Sequence, residues 1–243
     1  MSDSLVIIPT FNEKENIENI IRKVFSLEKN FHILIIDDGS PDGTADIVKK
    51  LITEYKENLF IEERTGKLGL GTAYIHGFKW ALNKKYEYIF EMDADFSHNP
   101  DDLIRLYSAN QNEGGYVAIG SRYVKGVNIV NWPMSRLLMS FFASKYVKFI
   151  TGMPVHDSTA GFKCYRRAVL ETINLDDISF VGYAFQIEMK FKAWKYDYKI
   201  IEVPVIFTDG TLGSSKMSGG IFFEAFFGVI QMKLKSFFKN WSR

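Results

Sequence analysis

The chemistry in this chain is easiest to see at Asp93-Ala94-Asp95. Alternate residues of an extended segment project to one side, so two carboxylates at this spacing can meet one cation. Oxygen-only ligands suit a hard divalent ion, Mg²⁺ or Mn²⁺, which keeps waters and shares substrate phosphates. The Ser97 hydroxyl, two residues on, can join that side, and His98 either packs the loop or lines the site. Three more polar clusters follow apolar runs of strand length: PTFNE at 9–13, DDGSPDGT at 37–44 and GSRY at 120–123. One such cluster reads as a turn with a helix cap, as Asp42-Gly43-Thr44 does. Four at the ends of successive strands describe a ligand site, because an open parallel sheet binds its ligands beyond the carboxyl ends of its strands.

The elements that must position these clusters alternate. Apolar runs at 5–9, 32–36, 59–62, 86–92 and 116–119 read as strands. Helical periodicity marks 13–27, 44–55, 71–83 and 100–112, with Ile17, Ile20, Ile21, Val24 and Phe25 on one stripe of the first helix. Strands that are apolar on both faces and alternate with helices predict an α/β fold, a mostly parallel sheet with helices on both faces. The second half is less regular. It predicts a long helix over 135–150, a strand over 161–165, helices over 167–173 and 184–194, and a strand over 199–207. A domain over 1–218 is expected to be followed by an amphipathic helix over 219–243.

Composition narrows the partners. The 243 residues carry 30 Lys+Arg against 29 Asp+Glu, a net charge of +1, which argues against a nucleic-acid-coating protein. A single cysteine, Cys164, excludes an internal disulfide and a cysteine-rich zinc site. The N-terminal stretch lacks the basic flank of a signal peptide, and no window is long and charge-poor enough to span a bilayer, so a cytoplasmic protein is expected. Two glycine-bearing stretches do not qualify as nucleotide loops. GLGTAY at 69–74 lacks the last glycine of a dinucleotide fingerprint, and TGKL at 65–68 lacks the Ser/Thr of a P-loop.

Aromatic residues make up 15% of the chain, with 21 Phe, and they crowd into its second half. Arg136 and Ser140 stand i,i+4, with Ser144 and Lys148 continuing the stripe among Leu137, Leu138, Met139, Phe141, Phe142 and Phe149. That pattern fits either a solvated helix face or a helix lying at a membrane boundary. The segment 220–243 puts Phe223, Phe226, Phe227, Ile230, Leu234, Phe237, Phe238 and Trp241 at helical spacing, and only bases follow Glu224. It fits a helix packed on the domain, or an in-plane anchor on anionic lipid.

The clusters at 9–13, 37–44, 69–74 and 120–123, with MDADFSHNP at 92–100, DSTAGFKCY at 157–165 and EVPVIF at 202–207, resemble the polyprenyl-phosphate (dolichyl-phosphate) mannose synthases. These are inverting glycosyltransferases of family 2 with the GT-A fold. The resemblance runs over about residues 4–218. It implies that Pro9, Phe11, Glu13, Ile36 and Asp38 hold the nucleoside of GDP-mannose. It implies that Asp93, Ala94 and Asp95 contact the donor, with Asp93, Asp95 and Ser97 on the metal. It places Arg122 on the phosphates, Lys216 over the diphosphate, and Arg136 and Ser140 on the phosphate of a polyprenyl acceptor. Asp95, Arg122, Arg136, Ser140 and Lys216 are the residues it marks as catalytic. The expected setting is the cytoplasmic face of a membrane, with peripheral attachment.

A phosphate monoester is largely dianionic at neutral pH and attacks without being deprotonated. Positioning and charge neutralisation are therefore the expected sources of catalysis, with Asp157 as the alternative, a general base. The sequence departs from the pattern at Gly210, where the closing loop ordinarily has an Arg six residues before its Lys. Glycine supplies no charge there. This leaves open a non-catalytic nucleotide-sugar binder, and the base and sugar leave open another donor such as UDP-glucose.

Overall fold

The computed structural model describes residues 2–182, 184–208 and 219–242, without the side chains of 219–225. Seven strands build the central sheet: β1 (Ser4–Thr10), β2 (His32–Asp37), β3 (Leu59–Glu63), β4 (Tyr88–Glu91), β5 (Val117–Ser121), β7 (Lys163–Arg166) and β8 (Ile200–Pro204), in the order β3-β2-β1-β4-β7-β5-β8. All neighbours are parallel except β7, which runs antiparallel to both β4 and β5.

The central strands are buried on both faces because their middle positions are continuously apolar, and alternation then divides them. Leu5 and Ile7 of β1, with Leu34 and Ile36 of β2, enter one core layer. Val6 and Ile8, with Ile33 and Ile35, enter the other. The second layer is closed by α1 (Ile17–Phe25), α2 (Thr44–Tyr55) and α4 (Asp102–Gln111). The first is closed by α3 (Leu70–Leu82), α7 (Ala184–Lys195) and the inner faces of α5 (Met134–Thr151) and α8 (Gly219–Ser236). Each fully buried Leu or Ile contributes about 1.5–3 kcal/mol relative to exposure.

Two boundaries differ from the sequence reading. The first helix starts at Ile17 rather than at 13, because Glu13–Asn16 forms a turn: the Glu13 carbonyl accepts from the N–H groups of Asn16 and Ile17. The run 199–207 breaks after Pro204. Its end forms β9 (Phe207–Thr208), which leaves the main sheet to pair with β6 (Ile129–Val130), a two-residue strand the pattern did not announce. The helix α6 (Arg167–Thr172) follows β7 directly.

The terminal helix α8 rests on the domain. Val229, Met232 and Ser236 are buried, Tyr146 of α5 stacks on Phe226 at 4.6 Å, and Lys233 Nζ donates to the Thr151 carbonyl at 3.0 Å. Trp241 closes against Tyr196 at 5.0 Å. Among the described residues, no helix is long and apolar enough to cross a membrane.

Candidate active site

The four polar clusters meet where the parallel strands β1, β2, β4 and β5 end. After β4 the chain turns through Asp93, Ala94 and Asp95, with Phe96 at φ 58°. Asp95 Oδ1 accepts from both the backbone N–H and the hydroxyl of Ser97, at 2.9 and 2.5 Å. Ser97 is buried and so shapes the loop around Asp95. Ala94 is buried in the core and contributes no side chain to the cleft. Asp93 faces the cleft with its carboxylate 3.5 Å from the Tyr74 hydroxyl and 3.8 Å from His98 Nδ1. Its partial burial, with the negative charge of Asp95, Glu91 and Glu13, raises its pKa to about 7.

Burial holds His98 down at about 4, so its ring is neutral. It stacks on Phe162 at 4.9 Å and meets Phe207 edge-on at 5.4 Å.

Two carboxylates, a hydroxyl and a site already too negative for its own Asp93 fit a hard divalent cation. No cluster of three or more His, Cys, Asp or Glu ligands exists among the described residues. The donor set therefore suits an ion that shares its remaining positions with substrate oxygens and water, not a closed structural metal.

Beneath this loop lies a buried charged layer. Glu91, the last residue of β4, has Lys163 Nζ at 3.1 Å and accepts from Gln186 Nε2 at 2.8 Å. Lys163 and Glu91 are neighbours in the β4–β7 register, so the pair fixes the strand end that carries Asp93. Lys190 donates to the Ser158 and Ala160 carbonyls at 2.8 and 2.7 Å, and burial pushes its pKa well down.

On the β1/β2 side, Pro9, Phe11 and Glu13 line the edge, and burial raises the Glu13 pKa with help from nearby Asp95. Asp38 is gripped by Arg64, whose Nε lies 2.7 Å from Oδ1, while Arg64 Nη1 donates to Thr72 at 2.9 Å. Lys67 sits over the Phe11 ring at 4.8 Å. Ile36 is wholly buried in the core, so its side chain does not reach the cleft. The neighbouring Asp37 is a clasp within the protein: it accepts from Thr10 Oγ1, Ser40 N and Ser40 Oγ.

The other side of the cleft is built on β5 and α5. Arg122 Nε and Nη2 donate to Asp157 at 2.7 and 2.6 Å, Nη2 also reaches Thr159 at 2.7 Å, and the Arg122 backbone N–H adds a third bond to Asp157 at 2.9 Å. The guanidinium lies among Tyr123, Trp132 and Phe207. Arg122 keeps Asp157 below the usual carboxylate range despite its burial, which disfavours Asp157 as a base. Arg136 lies over Trp132 at 4.1 Å, and Ser140 Oγ accepts from the Tyr123 hydroxyl at 2.9 Å. Lys216 and Gly210 lie outside the described residues.

A family model for glycosyl transferase family 2 matches residues 5–173. The chain belongs to that family. This family-2 glycosyltransferase is 44% identical to polyprenol monophosphomannose synthase of Mycolicibacterium smegmatis over 96% of this chain and 87% of that protein. It is 41% identical to undecaprenyl-phosphate mannosyltransferase of Micrococcus luteus over 95% of this chain and 93% of that protein.

Among solved structures, glucosyl-3-phosphoglycerate synthase of Mycobacterium tuberculosis with Mn²⁺, UDP and glucosyl-3-phosphoglycerate superposes with a TM-score of 0.67. The match has 15% identity and covers 96% of this chain and 78% of that one. The mannosyltransferase PcManGT of Pyrobaculum calidifontis with GDP-Man and Mn²⁺ gives 0.58, 14% identity, and 96% and 73% coverage. At such identities the likeness is one of fold: the family-2 chain has the GT-A-like α/β architecture.

The sequence reading missed Arg64, Trp132 and the Glu91–Lys163–Gln186 layer. Arg64 follows β3 as Asp38 follows β2, so its place at the same sheet edge was the available signal. The buried layer had none, because Glu91, Lys163 and Gln186 are brought together only by the β4–β7 pairing and the packing of α7.

Proposed function

We propose that this glycosyltransferase moves mannose from GDP-mannose to a polyprenyl phosphate, with inversion at the anomeric carbon and release of GDP. The observation that carries the reading is a chain of contacts. Asp93 meets His98 at 3.8 Å, His98 meets Phe207, Phe207 meets Trp132 at 5.3 Å, and Trp132 carries Arg136. A carboxylate pair suited to a nucleotide diphosphate thus lies beside the start of α5. The outer face of that helix is apolar, with Met134, Leu138, Met139 and Phe142 exposed. A soluble acceptor gives no reason for that face, and a lipid phosphate does. The 44% and 41% identical relatives, named for polyprenol and undecaprenyl phosphate, support the same class.

In this reading Pro9, Phe11, Glu13 and Asp38, with Arg64 behind Asp38, hold the nucleoside. Asp93, Asp95 and Ser97 hold a divalent cation, which supplies charge neutralisation at the departing diphosphate. Arg122, Arg136 and Ser140 orient the acceptor phosphate. One of its oxygens forms the new bond to the anomeric carbon from the face opposite the diphosphate, and the bond to the GDP oxygen breaks. No proton need be removed, because the phosphate is already dianionic. Lys216 is assigned to the diphosphate. Residues 219–243 and α5 seat the enzyme on the cytoplasmic face of the membrane without crossing it.

The test is a panel of radiolabelled GDP-mannose and UDP-glucose with a short polyprenyl phosphate, with and without Mn²⁺. The expected product is a β-linked mannosyl phosphate, formed from GDP-mannose only when the metal is present. Asp95→Ala is expected to lower turnover by at least roughly a hundredfold, on the scale of removing one charge-stabilising group. Retained turnover in that variant overturns the metal assignment, and transfer from UDP-glucose in preference overturns the donor.

A further inference from the structure

Trp132 stands just before α5, and its ring is shared by two guanidinium groups, Arg136 at 4.1 Å and Arg122 at 5.5 Å. Phe207 supports the ring edge-on at 5.3 Å. The indole Nε1 is buried and has no hydrogen-bond partner among the described residues. A buried donor left unpaired costs about 1–3 kcal/mol, so it calls for an explanation.

Two more donors belong to groups linked to the Trp132 ring by contact. Asp157 and Thr159 occupy Nε and Nη2 of Arg122, which leaves Nη1 without a hydrogen-bond partner among the described residues. Ser140 Oγ accepts from Tyr123, so its own proton remains to be given. The Tyr123 ring lies beside the Arg122 guanidinium at 5.2 Å, which ties the three groups into one cluster. Among the described residues, Asp157 is the only carboxylate bonded to Arg122, and both its oxygens are used. Trp132 Nε1, Arg122 Nη1 and the Ser140 hydroxyl are donors, which is the composition of an oxyanion cradle.

We infer that Trp132 is an acceptor-binding residue: its indole N–H donates to the phosphate of the polyprenyl acceptor, and its ring plate sets the spacing of Arg122 and Arg136 around that phosphate. This rests on the acceptor class proposed above. It adds a neutral donor that neither the motifs nor the helical stripe announced. Asp157 is then a positioning residue, which turns Arg122 so that Nη1 stays available.

The test uses full-length protein with ¹⁵N-labelled tryptophan and farnesyl phosphate as the probe. Four indole N–H signals are expected from the four tryptophans, and the one missing from Trp132→Phe identifies Trp132. That signal is expected to move downfield with farnesyl phosphate and to stay with farnesol. In steady-state kinetics, Trp132→Phe keeps an aromatic plate and is expected to raise the acceptor KM roughly ten- to a hundredfold, the worth of one hydrogen bond to a charged group. The donor KM is expected to stay unchanged. An indole signal that does not move while farnesyl phosphate binds, or an unchanged acceptor KM, overturns the inference alone. Failure of the wild-type protein to bind or use farnesyl phosphate overturns the acceptor class and the inference with it.

Discussion

A carboxylic acid whose pKa is raised to about 7 binds a proton in competition with any cation offered to it. In the metal-free protein Asp93 resists ionisation because it is partly buried and three other carboxylates, led by Asp95, face it. The sign follows from the raised value. The folded state holds the Asp93 proton more tightly than the unfolded chain, so metal-free stability falls as pH rises from the ordinary carboxylate range, 3.8, through about 7. A cation at Asp93 and Asp95 must displace that proton below about 7. Apparent Mn²⁺ affinity is therefore expected to weaken roughly tenfold for each pH unit below 7 and to level off above it. Calorimetric titration of Mn²⁺ between pH 5.5 and 8 checks this, and an affinity independent of pH over that range contradicts it. Asp93 and Asp95 were legible in the sequence because they sit within three residues, directly after an apolar strand. The pairs Arg64–Asp38 and Arg122–Asp157 were not. Their members are 26 and 35 residues apart, and they meet only because β2 lies beside β3 and the 157–159 segment returns to the end of β5.

The same division holds for the elements. Strands β1, β2, β4 and β5 and the helices between them follow from local periodicity, because these strands are buried on both faces and α1, α2 and α4 each carry an apolar stripe. The antiparallel β7 between β4 and β5 does not: its own sequence, Lys163–Arg166, looks like any short strand, and its direction is set by the pairing of Lys163 with Glu91 across the sheet. The two-residue β6 and β9 are likewise set by tertiary pairing, not by propensity. Packing at one crossing is tight enough to test. Gly77 of α3 faces β1 so closely that a Cβ there would lie 2.8 Å from Ile7 Cγ2, inside the core and with no flexible end to give way. Gly77→Ala gains helix propensity of about 1 kcal/mol, but it must push α3 away from a fully buried strand. Overpacking of this kind costs about 1–3 kcal/mol, so a net loss is expected. Urea unfolding with an unchanged slope and a lower midpoint would record it, and an unchanged or higher midpoint would show that α3 rides over β1 more loosely.

For the molecule as a whole, the uneven distribution of aromatics resolves into inner and outer faces of two helices. Helices α5 and α8 run side by side in the same sense, joined at Tyr146–Phe226 and again at Thr151–Lys233. Their inner residues close the core, while Phe142, Phe149, Phe227, Leu234, Phe237 and Phe238 remain exposed, Phe149 by 86% and Phe238 by 92%. Rings so exposed contribute almost nothing to folding, so replacing them separates membrane affinity from stability. Each Phe moved from water into an apolar phase gains about 1.5–3 kcal/mol. The double variant Phe149→Ser/Phe238→Ser is therefore expected to bind anionic phospholipid vesicles at least roughly tenfold more weakly, with an unchanged melting temperature. Lys235 on α8 and Lys239 just beyond its end add attraction to an anionic surface that salt should screen, so wild-type binding is expected to fall between about 0.05 and 0.5 M salt by a smaller factor than the aromatic loss. Co-sedimentation with vesicles, read beside transfer to a water-soluble short-chain acceptor, decides the matter. A variant that loses vesicle binding but keeps turnover on the soluble acceptor places these rings in the membrane contact. A variant that binds vesicles as the wild type does assigns the exposed face to something other than lipid.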